Sequence, residues 1–305
     1  MDPDEYRRTS LTNWTRMAAG WERRRPDMEN VSAPVREWLV RELAPQPGAT
    51  ILELASGTGD TGFAAAALLG REGRLITTDF SPEMVEVARR RGAELGLRNV
   101  EYRTMDAERM DLADDSVDGV ICRFAYMLMA DPAAALAETR RVLRRGGRLV
   151  FAVWRGPEQN PWVSIAGRVL VGRGLMAPPE PGVPGMFTMA TDERIHSLLA
   201  AAGFAHVRID DVPVRFVYSG IDDYVASARD TGGAFSTAFG QASEEEREAI
   251  TREFVEAFAR SPLTAATNSR ASRSLPSPAR ADARSATPSS SSAPRTLSAP
   301  WRTSG

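Results

Sequence analysis

Residues 51–62 read Ile51-Leu52-Glu53-Leu54-Ala55-Ser56-Gly57-Thr58-Gly59-Asp60-Thr61-Gly62. A short apolar run ends in a glycine-rich turn, and a helical pattern, Phe63–Leu69, follows it. Glycine after a buried strand lets the backbone turn tightly and approach a ligand, while the next helix presents free N–H groups. The same alternation continues downstream. Strands are expected at Arg74–Thr78, Val100–Thr104, Val117–Cys122 and Arg148–Trp154, with helices at Glu83–Leu95 and Ala133–Leu143 between them. Ser81-Pro82-Glu83 and Asp131-Pro132 supply the N-caps and first-turn prolines of those helices. Repeated strand–helix–strand units imply a doubly wound, mostly parallel Rossmann-like α/β sheet, here of seven strands.

Around this core the reading is coarser. Trp14, Ala18 and Trp21 fall on one helical face, and Val35, Trp38, Leu39 and Leu43 on another after Pro34, so residues 1–45 read as N-terminal helices forming a lid. Residues 46–155 read as the binding core and 156–190 as an irregular, proline-rich insert over the substrate. Residues 191–260 complete the domain. A helix Glu193–Ala202, two strands Phe204–Asp210 and Val212–Tyr218, and helices near 222–229 and 244–260 are expected there. From Ser261 the composition shifts to Ser, Ala, Pro and Arg. Such text suits either a natural disordered tail over 261–305 or a GC-rich gene read out of frame.

Composition narrows the function classes. Of 305 residues 43% are hydrophobic and 26% charged, an ordinary globular mix. No run of about 20 apolar residues is present to span a bilayer, and the acidic start Met1-Asp2-Pro3-Asp4-Glu5 is unlike a secretory signal. A cytoplasmic location is therefore expected. One cysteine and two histidines argue against a disulfide framework or a zinc cluster, so no metal is expected. The net charge is −2, and all 38 basic residues are arginine. Six of these lie in 261–305, which leaves an acidic body and argues against nucleic acid as a partner.

Three acids close successive strands or lie in them: Glu53, Asp79 and Asp106, the last followed by Ala107. In a doubly wound sheet the strands' carboxyl ends line one crevice, so these side chains are expected to converge. A carboxylate at 53 suits a cationic amine, one at 79 a ribose hydroxyl pair, and one at 106 an exocyclic amine such as adenine's. Together they describe S-adenosylmethionine. Position 55 is Ala, where a dinucleotide loop has its first glycine. A nucleotide-dependent enzyme of another class, or a cofactor-binding protein without catalysis, stands as the alternative reading.

The chain resembles the class I S-adenosylmethionine-dependent methyltransferases, most of all the ubiquinone/menaquinone C-methyltransferase-like group. The resemblance rests on Leu54–Asp60, Asp79-Phe80-Ser81-Pro82-Glu83-Met84, Asp106-Ala107-Glu108 and Leu143–Leu149, and covers about residues 45–155. It implies cofactor contacts at Thr58, Asp79, Asp106, Ala107 and Arg123, and the reading of the turn and strand ends adds Glu53, Ala55, Ser56, Gly57, Gly59, Phe80 and Met84 as candidates. Arg123 stands where the group has a small polar residue. The implied partner is a small-molecule methyl acceptor (a phenol, quinol or carbon nucleophile), with Tyr126, Trp154 and Trp14 as candidate contacts. No residue stands out as a general base.

Overall fold

The computed structural model describes residues 2–180 and 182–260, and the backbone alone of 267–276. Its centre is a parallel array of β1 (Thr50–Leu54), β2 (Arg74–Asp79), β3 (Val100–Thr104), β4 (Val117–Arg123) and β5 (Leu143–Trp154), in the order β3-β2-β1-β4-β5. The strand order reverses between β1 and β4, so a crevice opens there at the carboxyl ends. The crossover helices α2 (Asp60–Ala66) and α3 (Pro82–Glu94) serve one half and α4 (Pro132–Val142) the other. Right-handed crossovers running in opposite directions put them on opposite faces. Both faces being covered explains the near-continuous apolar runs: Leu52, Leu54, Leu75, Val120, Ile121, Val150 and Phe151 are fully buried.

The N-terminal segment is one helix, α1 (Pro3–Leu43), rather than several. Asp2 caps it through the N–H groups of Asp4 and Glu5. Pro34, expected in a first turn, lies inside it together with Pro26. Each removes one backbone donor, and tertiary packing overrides the local preference. The C-terminal part of α1 buries Val35, Trp38, Leu39 and Leu43 in the main core.

Three further expectations change. The stretch 155–190 is not irregular throughout, since α5 (Pro161–Gly172) begins at a first-turn proline within it. After α6 (Asp192–Ala201), residues 204–214 form a single strand, β6 (Phe204–Val214), with no turn at Asp210-Asp211. Each acid is held in place by a partner instead: Trp38 Nε1 donates to Asp210 at 3.0 Å, and Arg155 pairs with Asp211. Helices α7 (Ile221–Thr231), α8 (Gly233–Gln241), which sequence reading does not find, and α9 (Glu244–Ala259) then pack with α5 around a second core of Ile165, Leu170, Tyr224, Phe235, Phe254 and Phe258.

The tail is the largest correction. Residues 267–276 form β7 (Thr267–Pro276), antiparallel to both β5 and β6 and lying between them. Composition argued against order because it counts apolar burial, whereas an inserted strand is held by backbone pairing to two waiting neighbours. The rest of the expected disordered tail, 261–266 and 277–305, lies outside the described residues. A chain ending at Arg260 should leave β5 and β6 with unpaired edges. We expect it to melt several degrees lower and to aggregate more readily than the full chain; equal melting and solubility would refute the pairing.

Among the described residues no helix is long and apolar enough to cross a membrane.

Candidate functional site

The turn after β1 is built from residues forced into left-handed backbone. Ala55, Gly57 and Gly59 have φ of 49°, 53° and 81°. Gly59 is the N-cap of α2 and has no side chain to cap with. Glu53 takes that role from below: its Oε1 accepts from the Gly62 N–H at 2.6 Å and its Oε2 from the Thr77 hydroxyl at 2.6 Å. A carboxylate under the first turn satisfies an orphan donor and meets the positive end of the helix. Burial raises the Glu53 carboxyl to about 7 despite those bonds.

Asp79, at the end of β2, is also drawn inward. Its two oxygens accept from the N–H groups of Gly57 at 2.9 Å and Ser81 at 3.0 Å, tying the glycine turn to the start of α3. Burial raises this carboxyl to about 6. Neither Glu53 nor Asp79 lines the neighbouring cavity, and each is over nine-tenths buried.

That cavity lies over the carboxyl ends of the strands. The glycine turn supplies Ala55, Ser56, Gly57 and Thr58, and the start of α3 supplies Phe80 and Met84. Met105, Asp106, Ala107 and Glu108 follow β3, and Arg123, Phe124 and Ala125 come from β4 and the turn after it. The roof is α1, through Tyr6, Arg7, Ser10, Trp14 and Trp21. Roof and floor are tied. Tyr6 Oη donates to the Leu128 carbonyl at 2.9 Å, Arg7 pairs with the buried Glu108, and Thr15 donates to Glu83 at 2.7 Å. Asp106 accepts from the Glu108 N–H at 2.9 Å, which folds the turn after β3 back on itself.

The structure thus brings together Ala55, Ser56, Gly57, Thr58, Phe80, Met84, Asp106, Ala107, Arg123 and Trp14 of the residues singled out from sequence. Five stand elsewhere. Besides Glu53 and Asp79, Gly59 is hidden beneath the turn, where an added Cβ would lie 2.5 Å from the Phe63 ring. Tyr126 is wholly buried, hydrogen-bonded to Thr139 at 2.7 Å and packed on Phe151, so it is a core residue rather than a substrate contact. Trp154 stacks on Phe124 at 4.2 Å and on the far side meets Trp162; it backs the cavity wall without forming it. No residue of 155–190 lines the cavity either, although Thr188 donates to the Met127 carbonyl at 2.8 Å. Sequence reading missed Tyr6, Arg7 and Ser10. They share the helical face of Trp14 at spacings of three, four and seven, and that repeat was the available signal.

Two polar atoms in this lining have no partner among the described residues: Ser56 Oγ and Trp21 Nε1, both buried. An added Cβ at Gly57 would meet nothing within 4 Å. Unsatisfied donors around an open approach to the backbone fit a polar ligand.

A family profile described as "Methyltransferase domain" matches residues 45–164. Among curated proteins, the chain is 34% identical over 116 residues to the ubiquinone/menaquinone biosynthesis C-methyltransferase UbiE of Teredinibacter turnerae, covering 38% of this chain and 47% of that protein. It is 39% identical over 117 residues to a demethylmenaquinone methyltransferase of Clavibacter sepedonicus, covering 38% and 46%. It is 38% identical over 106 residues to an arsenite methyltransferase of Halobacterium salinarum, covering 35% and 27%. The match spans less than half the length of each. Two solved structures share the fold. The YcgJ protein of Bacillus subtilis superposes with a TM-score of 0.53 at 20% identity, covering 80% of this chain and 98% of that one. The [4+2]-cyclase SpnF gives 0.52 at 15%, covering 87% and 96%.

Proposed function

We propose, from a core that is a class I methyltransferase domain near the ubiquinone/menaquinone C-methyltransferase group, that this chain binds S-adenosylmethionine and transfers its methyl group to a small apolar acceptor. The observation that carries this reading is the meeting of segments from four strands in one cavity: Ala55–Thr58, Phe80–Met84, Met105–Glu108 and Arg123–Ala125. When bound, S-adenosylmethionine supplies a methyl group already activated on a sulfonium.

The chain's own residues then need only bind, orient and exclude water. The glycine turn brings backbone close to the ligand. Asp79 lies just beneath the lining with its oxygens on the Gly57 and Ser81 N–H groups, and the lone pairs these leave free accept from ribose hydroxyls that reach the base of that turn. Phe80, Met84, Met105 and Ala107 make an apolar slot for adenine, and Asp106 accepts from its exocyclic amine. Tyr6, Ser10, Trp14 and Trp21 roof the cavity against solvent, which favours a displacement that depends on alignment at about 3–3.5 Å. No histidine lines the cavity, and its carboxylates are already engaged by Arg7 and by backbone. An acceptor that arrives ionised, or attacks through carbon, suits such a wall better than one needing a base. Among the described residues no group of three His, Cys, Asp or Glu side chains is placed to hold a metal.

The fold alone does not decide methyl transfer, since a cyclase shares it. The deciding experiment is calorimetry with S-adenosylmethionine and with NAD, followed by turnover against phenols, quinols and carbon acids. Binding of S-adenosylmethionine alone, with a methylated product, is the expected result. Preference for NAD would overturn the reading, and binding without any turnover would reduce it to a cofactor-binding protein.

A further inference from the structure

The proposed cofactor contacts leave one wall of the cavity free: Leu128, Met129 and Ala130, which share the lining with Tyr6 and Ser10 of the roof. This wall grows out of the 3-10 turn Tyr126–Leu128. The Leu128 N–H donates to the Ala125 carbonyl at 2.7 Å, and the Met129 N–H to that of Tyr126 at 3.3 Å. So short a turn leaves its last carbonyls, those of Met127 and Leu128, without local partners. Two distant segments supply them. From the roof, the Tyr6 hydroxyl donates to the Leu128 carbonyl. From residues 155–190, the carbonyl of the buried Met127 receives two donors, the Gly185 N–H at 3.0 Å and the Thr188 hydroxyl at 2.8 Å. The segment is shaped to deliver them. Gly185 to Thr188 is a turn in which the Thr188 N–H donates to the Gly185 carbonyl at 3.1 Å. Met186 and Phe187 inside the turn pack on the main core, and Met189 just beyond it is buried. Apolar anchors thus fix the turn and leave its two donors on one carbonyl.

Building on the methyl-transfer reading above, we infer that Thr188, with the Gly185 N–H beside it, positions the methyl acceptor: by clamping the Met127 carbonyl the pair fixes the wall Leu128–Ala130 against which the acceptor rests. Thr188 is a positioning residue that touches no ligand. Alignment of nucleophile and methyl group is sensitive to displacements well under 1 Å, so a wall held from behind governs acceptor fit as directly as one that makes the contact. The cofactor's own segments, 55–58, 80–84 and 105–108, have no hydrogen bond to residues 155–190 among the described residues. Loosening the clamp therefore separates acceptor fit from cofactor affinity.

The test uses Thr188→Val in the full chain, which keeps the side chain's shape and removes its hydroxyl. Hydrogen exchange of the Leu128 and Met129 N–H groups, measured without an acceptor, should quicken about 3- to 10-fold, the loss of one hydrogen bond, while exchange at 56–58 stays unchanged. Turnover is then followed with S-adenosylmethionine and three probe acceptors: methylhydroquinone, p-cresol and acetylacetone. For whichever is methylated, kcat/KM should fall about 3- to 10-fold, with calorimetric affinity for S-adenosylmethionine within about twofold of the natural chain's. Thr188→Ser restores the donor and should recover both readouts. Unchanged exchange at Leu128, an unchanged kcat/KM, or an equal loss of cofactor affinity would each overturn the clamp and leave the methyltransferase reading intact. Binding of S-adenosylmethionine by the natural chain with none of the three probes methylated would sink the acceptor reading, and the role of Thr188 with it.

Discussion

Asp79→Ala should reduce affinity for S-adenosylmethionine by at least about 100-fold, the loss of roughly two hydrogen bonds to a buried charged group. The residue works twice. In the proposed complex it receives the ribose hydroxyls, and in the structure its oxygens already hold the N–H groups of Gly57 and Ser81. Alanine would leave both donors without a partner and free the glycine turn from α3. A drop in melting temperature should therefore accompany the lost affinity; unchanged affinity in a folded variant would remove Asp79 from the site.

The same carboxylate sets a pH dependence of opposite sign for stability and for binding. Burial raises Asp79 from 3.8 to about 6, so between those values the native state holds a proton that the unfolded chain has released. Stability without ligand then falls as pH rises from about 4 to 6, by up to about 3 kcal/mol from this group. Glu53, raised from 4.5 to about 7, extends the decline to neutral pH. Cofactor affinity should run the other way, weakening as pH drops through 6, because ribose hydroxyls donate best to the ionised form. Thermal melts and calorimetry from pH 5 to 8 measure both slopes. Parallel slopes would show that Asp79 does not face the ligand.

Gly62→Ala should be strongly destabilising although it adds a single methyl group. An added Cβ would lie 2.1 Å from Glu53 Oε2, the carboxylate that accepts from the Gly62 N–H. Relieving the clash means pushing Glu53 off both Gly62 and Thr77. Overpacking and the unmade bond together should cost about 3–5 kcal/mol, or about 10 °C in melting temperature. Gly57→Ala gives the contrast. Its Cβ meets nothing within 4 Å, so stability should fall only by the strain of φ +53°, about 1 kcal/mol. Its methyl group would stand at the cavity lining and should mainly reduce cofactor affinity. If the two variants melt together, the division between buttress and binding surface drawn here is wrong.

The parallel half of the fold was legible because both its faces are covered. That makes β1, β2, β4 and β5 read as apolar runs, punctuated by Gly59, Asp79 and the capped helix starts at Ser81 and Asp131. The backbone positions of the site followed from the same punctuation. Side-chain direction did not. Glu53 and Asp79 occupy strand positions whose carboxylates turn toward backbone donors, and no spacing rule distinguishes that from turning toward a ligand. Tyr126 follows β4 as closely as Phe124 does, yet the short 3-10 turn Tyr126–Leu128 sends it into the core. The polar strand 267–276 carries no apolar alternation, so only its neighbours' need for a partner reveals it.

Helix α1 leaves the ribosome first, but several of its partners are made last. Arg24 pairs with Asp223 and Asp230, Arg16 bonds to Thr237, and Gly20 packs so closely on Asp230 that an added Cβ would lie 2.1 Å from its carbonyl oxygen. About 200 residues separate these pairs, a delay of roughly 10–40 s at ordinary elongation rates. For that interval Arg16, Gly20 and Arg24 of α1 have nothing at 220–240 to rest on, while the floor of the cavity can already assemble. Until then α1 is held over the crevice by its ties to Glu83, Glu108 and Leu128, so its docking is completed only when 220–240 have been made.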